Sequence, residues 1–312
     1  MTKRVLDLLP AELASLTAKE LLQAVAGSEG RVLAAETIGI TPPLLSDVTN
    51  AKFAASMGAD LLLLNMFDVW EPRIVGLPET RPEDVVRRVK ELTGRMIGIN
   101  LEPVDPAVCA QNGESIWAMS RGRYATAENA QRATEMGVDL IVLTGNPGNG
   151  VSNEAIVHSL ESIRAQVGDG IVLAAGKMHA SGVVGEGGEN IITKADVEAF
   201  SKAGADIILL PAPGTVPGIT TEYVRGLVSY AHSLGRLTIT AIGTSQEGAD
   251  TATIRQIALE CKMTGTDIHH IGDSGYVGMA LPENIMAYSV AIRGIRHTYR
   301  RMAASLARKP KN

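Results

Sequence analysis

Two cysteines, Cys109 and Cys261, are all that the 312 residues contain, so neither a disulfide framework nor a cysteine-rich metal centre is on offer. A net charge of −5 gives no basic surface for nucleic acid or anionic membrane. The basic residues near the end, Arg300, Arg301, Arg308, Lys309 and Lys311, read as a solvated tail. No apolar run approaches a membrane span, and Val5 to Leu9 is too short and interrupted for a signal peptide. A cytosolic protein with no nucleic-acid or membrane partner is expected. Any composition break that would mark a second domain is also missing. The domain reading is therefore one unit: a helical extension over 1–29, a main body over 30–306 and a tail over 307–312.

What the chain does contain is rhythm. Gly58-Ala59-Asp60, Gly137-Val138-Asp139, Gly204-Ala205-Asp206 and Gly265-Thr266-Asp267 each precede a run of apolar residues. Gly30-Arg31, Gly94-Arg95 and Gly235-Arg236 introduce three of the other runs. Together they give eight strand candidates, beginning near residues 32, 61, 96, 140, 171, 207, 237 and 268. The runs are short and lack clean polar alternation, as parallel strands buried on both faces do. Helix punctuation lies between them. Thr126, Ser152 and Thr193 read as N-caps, Pro82 and Pro282 suit a first turn, and glycines 58, 94, 137, 168, 204, 235 and 265 suit left-handed C-caps. The expected fold is α/β, a single (βα)8 TIM barrel. Thr17-Ala18-Lys19-Glu20 opens one extra N-terminal helix packed near the barrel's N-terminal end. The repeated aspartates then belong to αβ turns at the structural end of the barrel, and chemistry belongs at the opposite rim.

That rim carries polar residues after each strand. Glu36 follows the first, Asn65 and Asp68 the second, and Asn100 and Glu102 the third. Thr144 and Asn146 follow the fourth, and Lys177 and His179 the fifth. Gly243, Thr244 and Ser245 follow the seventh, and Gly272, Asp273, Ser274 and Gly275 the eighth. The last two loops suit a phosphate or another small oxyanion, with Asp273 as the discordant charge. Lys177 is expected to point into the mouth, as an anion holder, base or Schiff-base nucleophile, or else as an ion-pair partner of Glu36 or Glu102. His179 is expected to share its proton transfers. Glu36, Asp68 and Glu102 would either bind Mg²⁺ or Mn²⁺ or orient their neighbours by hydrogen bonds. No organic cofactor is indicated. Of the adjacent His269 and His270, strand alternation sends one to the mouth and one to the core. The long segment from Pro103 to Tyr124, with Trp117, Arg121 and Arg123, is a candidate lid or subunit contact, and Ala180 to Glu189 a candidate closing loop.

Through Glu36, Asn65-Met66-Phe67-Asp68, Asn100-Leu101-Glu102-Pro103 and Lys177-Met178-His179, the chain resembles a bacterial barrel family. Its members carry labels such as phosphoenolpyruvate phosphonomutase or haloacid dehalogenase-like hydrolase. More faintly, it resembles the barrel family associated with photosystem I biogenesis. The clustered aspartates and lysine-cysteine-glycine-histidine run of the phosphonomutases are missing. So is the second aspartate of a haloacid dehalogenase, at Asp68-Val69-Trp70-Glu71. The reading is a lyase or isomerase acting next to a carbonyl on a small anionic, phosphorylated metabolite, in a homo-oligomer. The alternative is a barrel that binds a ligand without turnover.

Overall fold

The eight apolar runs form the strands β1 (Val32–Ile38), β2 (Leu61–Asn65), β3 (Met96–Leu101), β4 (Leu140–Leu143), β5 (Val172–Gly176), β6 (Ile207–Pro211), β7 (Leu237–Ile242) and β8 (Ile268–Ile271). All pair in parallel, and β8 pairs with β1 to close the barrel. Each strand is followed by a helix: α1 (Asn50–Ser56), α2 (Val85–Thr93), α3 (Ala127–Met136), α4 (Asn153–Val167), α5 (Lys194–Ala203), α6 (Thr221–Ser233), α7 (Thr251–Thr264) and α8 (Pro282–Met302). The structure, a computed structural model, describes residues 3–104, 119–145, 151–180, 185 and 187–304. The two candidate lids lie largely outside these residues, as do Trp117 and Cys109.

Local chemistry sets the helix ends. The hydroxyls of Thr126, Ser152 and Thr193 accept the N–H groups of Asn129, Ala155 and Asp196, and Thr193 and Asp196 close a full capping box. At the other ends, Gly137 and Gly204 take left-handed conformations with φ of 90° and 110°, where a Cβ would be strained. Pro282 opens α8, and Gly294 breaks the helical geometry within it.

Strand alternation sorts the apolar residues into two cores. Leu33, Leu62, Ile97, Ile141, Leu173 and Ile208 face the helices, while Ala34, Leu63, Val142, Ala174, Leu209 and Ile239 fill the barrel. The N-terminal segment closes the lower end. Val5, Leu8, Leu13, Leu21, Ala24 and Val25 join the same cluster as the first inward residues of the strands. The capping box of Thr17 and Glu20 starts this helix, Ala18–Ala26, as its sequence suggests.

The aspartate echoes act as dovetails. Each opens an even strand and reaches back to the strand before it. The carboxylates of Asp60, Asp139, Asp206 and Asp267 accept the N–H groups of Leu33, Ile97, Leu173 and Thr238 at 2.9, 2.8, 3.0 and 2.8 Å. Every one also meets a basic side chain from an even helix. Lys90 of α2 reaches Asp139 at 2.7 Å, Arg164 of α4 reaches Asp206 at 2.7 Å, and His232 of α6 reaches Asp267 at 2.8 Å. Arg293 of α8 reaches Asp60. The unit of repetition is thus two βα modules, four times around the ring.

The Asp60 copy is the most demanding because it is fully buried. Arg293, Arg301 and Arg95 surround it, and all three guanidiniums are themselves buried. Burial alone would push the Asp60 carboxyl upward, yet Arg293 and Arg301 hold it below the usual range. Burial pushes Arg95 down to about 9, and the neighbouring Arg301 adds to this. Removing the carboxylate would leave buried cations uncompensated. We expect Asp60→Ala to cost about 3–5 kcal/mol or to prevent folding. Asp206→Ala, which loses a partly buried pair and a strand N–H acceptor, should cost about 1–3 kcal/mol. Denaturant unfolding that shows the reverse order would contradict this account.

Candidate active site

The inward phase of each strand continues into the mouth. From Ala34 it reaches Glu36, from Leu63 it reaches Asn65, from Val142 it reaches Thr144, and from Ile268 it reaches His270. Along β3 it reaches Asn100. Together with Glu102, Arg123, Met178, His179, Ser245, Glu247, Gly272, Asp273 and Gly275, most of these surround one cavity of about 400 Å³ at the C-terminal ends of the strands. His270 lies beneath it, 3.5 Å from Glu36. The outward His269 packs edge-on against Tyr288 and bonds the Gly30 carbonyl, and burial pushes it down to about 4.

A hydrogen-bonded chain crosses the mouth. The Asn100 amide donates to Glu36 at 2.5 Å and to the Asn65 carbonyl at 3.2 Å, and the Asn65 amide donates to Asp273 at 2.7 Å. Two neutral amides thereby fix two carboxyl groups. Burial pushes Asp273 up to about 7, and the charges of Glu36 and Glu247 add to that, against the Asn65 amide and the Gly275 N–H. Burial likewise raises Glu247 and lowers His179, the latter against the pull of Glu36. Backbone strain collects here too. Met66, Ser245 and Ser274 have φ of 56°, 78° and 56°, the left-handed region that residues with a Cβ avoid.

Several expected roles change. Lys177 is not among the residues that line the cavity. It follows Gly176, the last residue of β5, and it is 3% exposed. Its charge is felt by Glu154 at the start of α4, a carboxylate held low chiefly by its own backbone N–H and the Ser152 hydroxyl. Met178 and His179 line the cavity instead.

Asp68 is also elsewhere. It accepts the N–H groups of Trp70 and Glu71 at 2.7 and 2.9 Å, lies under Gly122, and borders a separate depression with Trp70 and Arg121. Glu36, Asp68 and Glu102 are therefore not gathered as ligands. Among the described residues no three Asp, Glu, His or Cys side chains converge to hold a metal ion. Glu102 is ion-paired with Arg123.

The loops after β7 and β8 do not form an open oxyanion cradle. Asp273 takes the Gly275 N–H at 2.8 Å, and the Glu247 carboxyl lies against Gly272. Thr244 donates to the Thr215 carbonyl at 2.8 Å, and its hydroxyl does not line the cavity. Asn146 lies outside the described residues.

Arg123, Glu247 and the inward member of the histidine pair complete the mouth. Arg123 arrives because the returning segment runs beside β3, with the Glu102 N–H bonded to the Arg123 carbonyl at 2.8 Å. Glu247 follows the 243–246 strand-end run by one residue, and its turn is pinned by the buried Asn284 amide at 2.8 Å.

The chain matches the family model described as "Domain of unknown function (DUF7916)" over residues 6–308. No curated protein matches it in sequence. Among solved structures, the carboxyl transferase domain of Rhizobium etli pyruvate carboxylase with 3-bromopyruvate is similar, at 13% identity and a TM-score of 0.53. The match covers 95% of this chain and 51% of that one. A 2,3-dimethylmalate lyase, described as a PEP mutase/isocitrate lyase superfamily member, is similar at 14% identity and a TM-score of 0.50, covering 82% and 81% of the two chains. At such identities these likenesses establish the barrel fold alone.

Because the Asp273 carboxyl is raised from an ordinary value near 4, its protonated form is favoured by folding. Its contribution to stability is full below about pH 4 and is lost as pH rises through about 7. Asp273→Asn cannot titrate. The variant should gain on the wild type in thermal stability between pH 5 and pH 8, and a constant difference across that range would contradict the assignment.

Proposed function

The chain belongs to the DUF7916 family, and we propose that its barrel is an enzyme of acid–base chemistry, a lyase or isomerase that moves a proton next to a carbonyl of a small polar metabolite. The observation that carries this reading is the chain Glu36–Asn100–Asn65–Asp273 across the mouth. A carboxyl that titrates near neutrality both accepts and returns a proton at working pH. Asp273 has that property, and its orientation is fixed by Asn65. Glu36, held by Asn100 and next to His270, is the second carboxylate.

The remaining groups have supporting roles. His179 is kept low by burial, so it enters as a neutral imidazole able to take a proton. Arg123 presents a planar guanidinium at the rim, where Glu102 now holds it and where a substrate oxygen can compete. Lys177 takes no part, and neither a Schiff base nor a metal ion is invoked. A phosphate at the ends of β7 and β8 is also dropped, because carboxylates fill that place.

Incubation with a panel of hydroxy and keto compounds in D₂O, followed by NMR, reads the proposed proton transfer directly. At least one compound should take up solvent deuterium, and Asp273→Asn should slow this by about 10²–10⁴-fold while the variant stays folded. Tight binding of a panel member without exchange in any would make this a ligand-binding barrel and overturn the proposal. A further check concerns Lys177. Borohydride added with small aldehydes or ketoacids should leave Lys177 unmodified, and a stoichiometric adduct there would return it to the mouth.

A further inference from the structure

The mouth has an unmet need of one kind. Among the described residues four carboxyl groups line it, Glu36, Glu102, Glu247 and Asp273, against one guanidinium, Arg123, which Glu102 already engages. One backbone N–H of the loop after β8, that of Gly275, is occupied by Asp273. Beside the unpartnered His270 Nδ1 and Ser274 Oγ, three atoms left without a partner call for a donor. Glu247 is 5% exposed, and its Oε2 is buried without a hydrogen bond. Asn100, 8% exposed, leaves its carbonyl oxygen unbonded, and the buried Thr144 hydroxyl is unpartnered as well. Two of these three atoms are acceptors only, and the hydroxyl can accept. Buried acceptors beside uncompensated carboxylates are costly unless a donor arrives with positive charge.

We propose that the mouth recognises its substrate through a protonated primary amine, seated between Glu247 and Asp273 with the Asn100 carbonyl as a further acceptor. An ammonium group brings one positive charge and three N–H donors, which matches both deficits at once. A metal ion fits less well, since the carboxylates and histidines of the described residues do not converge on a point. The amine lies on the part of the substrate held toward β7 and β8, leaving the Glu36 and Asn65 side for the reacting carbonyl. The inference rests on the mouth being the substrate site, but it is tested by binding and so stands or falls apart from turnover.

The experiment pairs ligands that differ only by an amine: glucosamine with glucose, ethanolamine with ethylene glycol, and alanine with lactate. Inorganic phosphate, Mg²⁺ and Mn²⁺ serve as controls. Calorimetric titration and thermal shift should show at least one aminated compound binding about tenfold or more tighter than its hydroxyl partner, as expected for charge-assisted hydrogen bonds. Glu247→Gln keeps the shape and removes the charge, and it should abolish that preference. Without ligand the variant should be at least as stable as the wild type, because a buried carboxylate with one unpartnered oxygen is gone. Equal binding within every pair would overturn the proposal, as would stabilisation by phosphate or by a divalent ion in place of amines. A preference that survives in Glu247→Gln would also overturn it.

Discussion

Everything at the mouth depends on the register of the eight strands, and the register depends on four aspartates at the other end. Each carboxylate bonds the first outward N–H of the preceding strand and meets a cation from an even helix. One residue of slippage would turn a whole strand face over. Glu36, Asn65, Asn100 and Thr144 would then point into the helices, where their charges and amides would have no partners. A bottom-end ion pair and a top-end catalytic geometry are thus one constraint. The lower end is further closed by the N-terminal helix, which supplies the apolar floor beneath the inward residues.

With the frame held this firmly, the upper end can carry unfavourable features. Three left-handed residues with side chains, several buried polar atoms without partners and a crowd of carboxylates all lie within a few residues of the strand ends. Each feature costs stability, and such costs persist where the surroundings enforce them. Asn284 illustrates the enforcement: fully buried on α8, it bonds the carbonyls of Glu247 and Ala249 and so fixes the turn that carries Glu247.

The fold was legible because its signals are local. Strand runs, hydroxyl caps and C-cap glycines each involve a handful of neighbouring residues, and they agreed with a count of eight. The inward polar set, Glu36, Asn65, Asn100 and Thr144, was legible from its place after each strand. Lys177 follows the last residue of β5, and its two successors, Met178 and His179, line the cavity in its place. Asp68 could not be judged from its own surroundings, since the segment that covers it, around Gly122, returns from more than fifty residues away. Glu247 fell one residue beyond the strand-end run. The glycine-rich loops suggested phosphate, but the same loops contain the two carboxyl groups that occupy its place.

Burial and the charge of Glu36 hold Asp273 as a carboxyl poised near neutrality, against the Asn65 amide that orients it. Titrating its side-chain carbon by ¹³C NMR, in the wild type and in Glu36→Gln, measures this at the atom concerned. The account predicts a midpoint at about 7 that moves down when the Glu36 charge is removed. A midpoint in the ordinary range near 4, unchanged by Glu36→Gln, would contradict it.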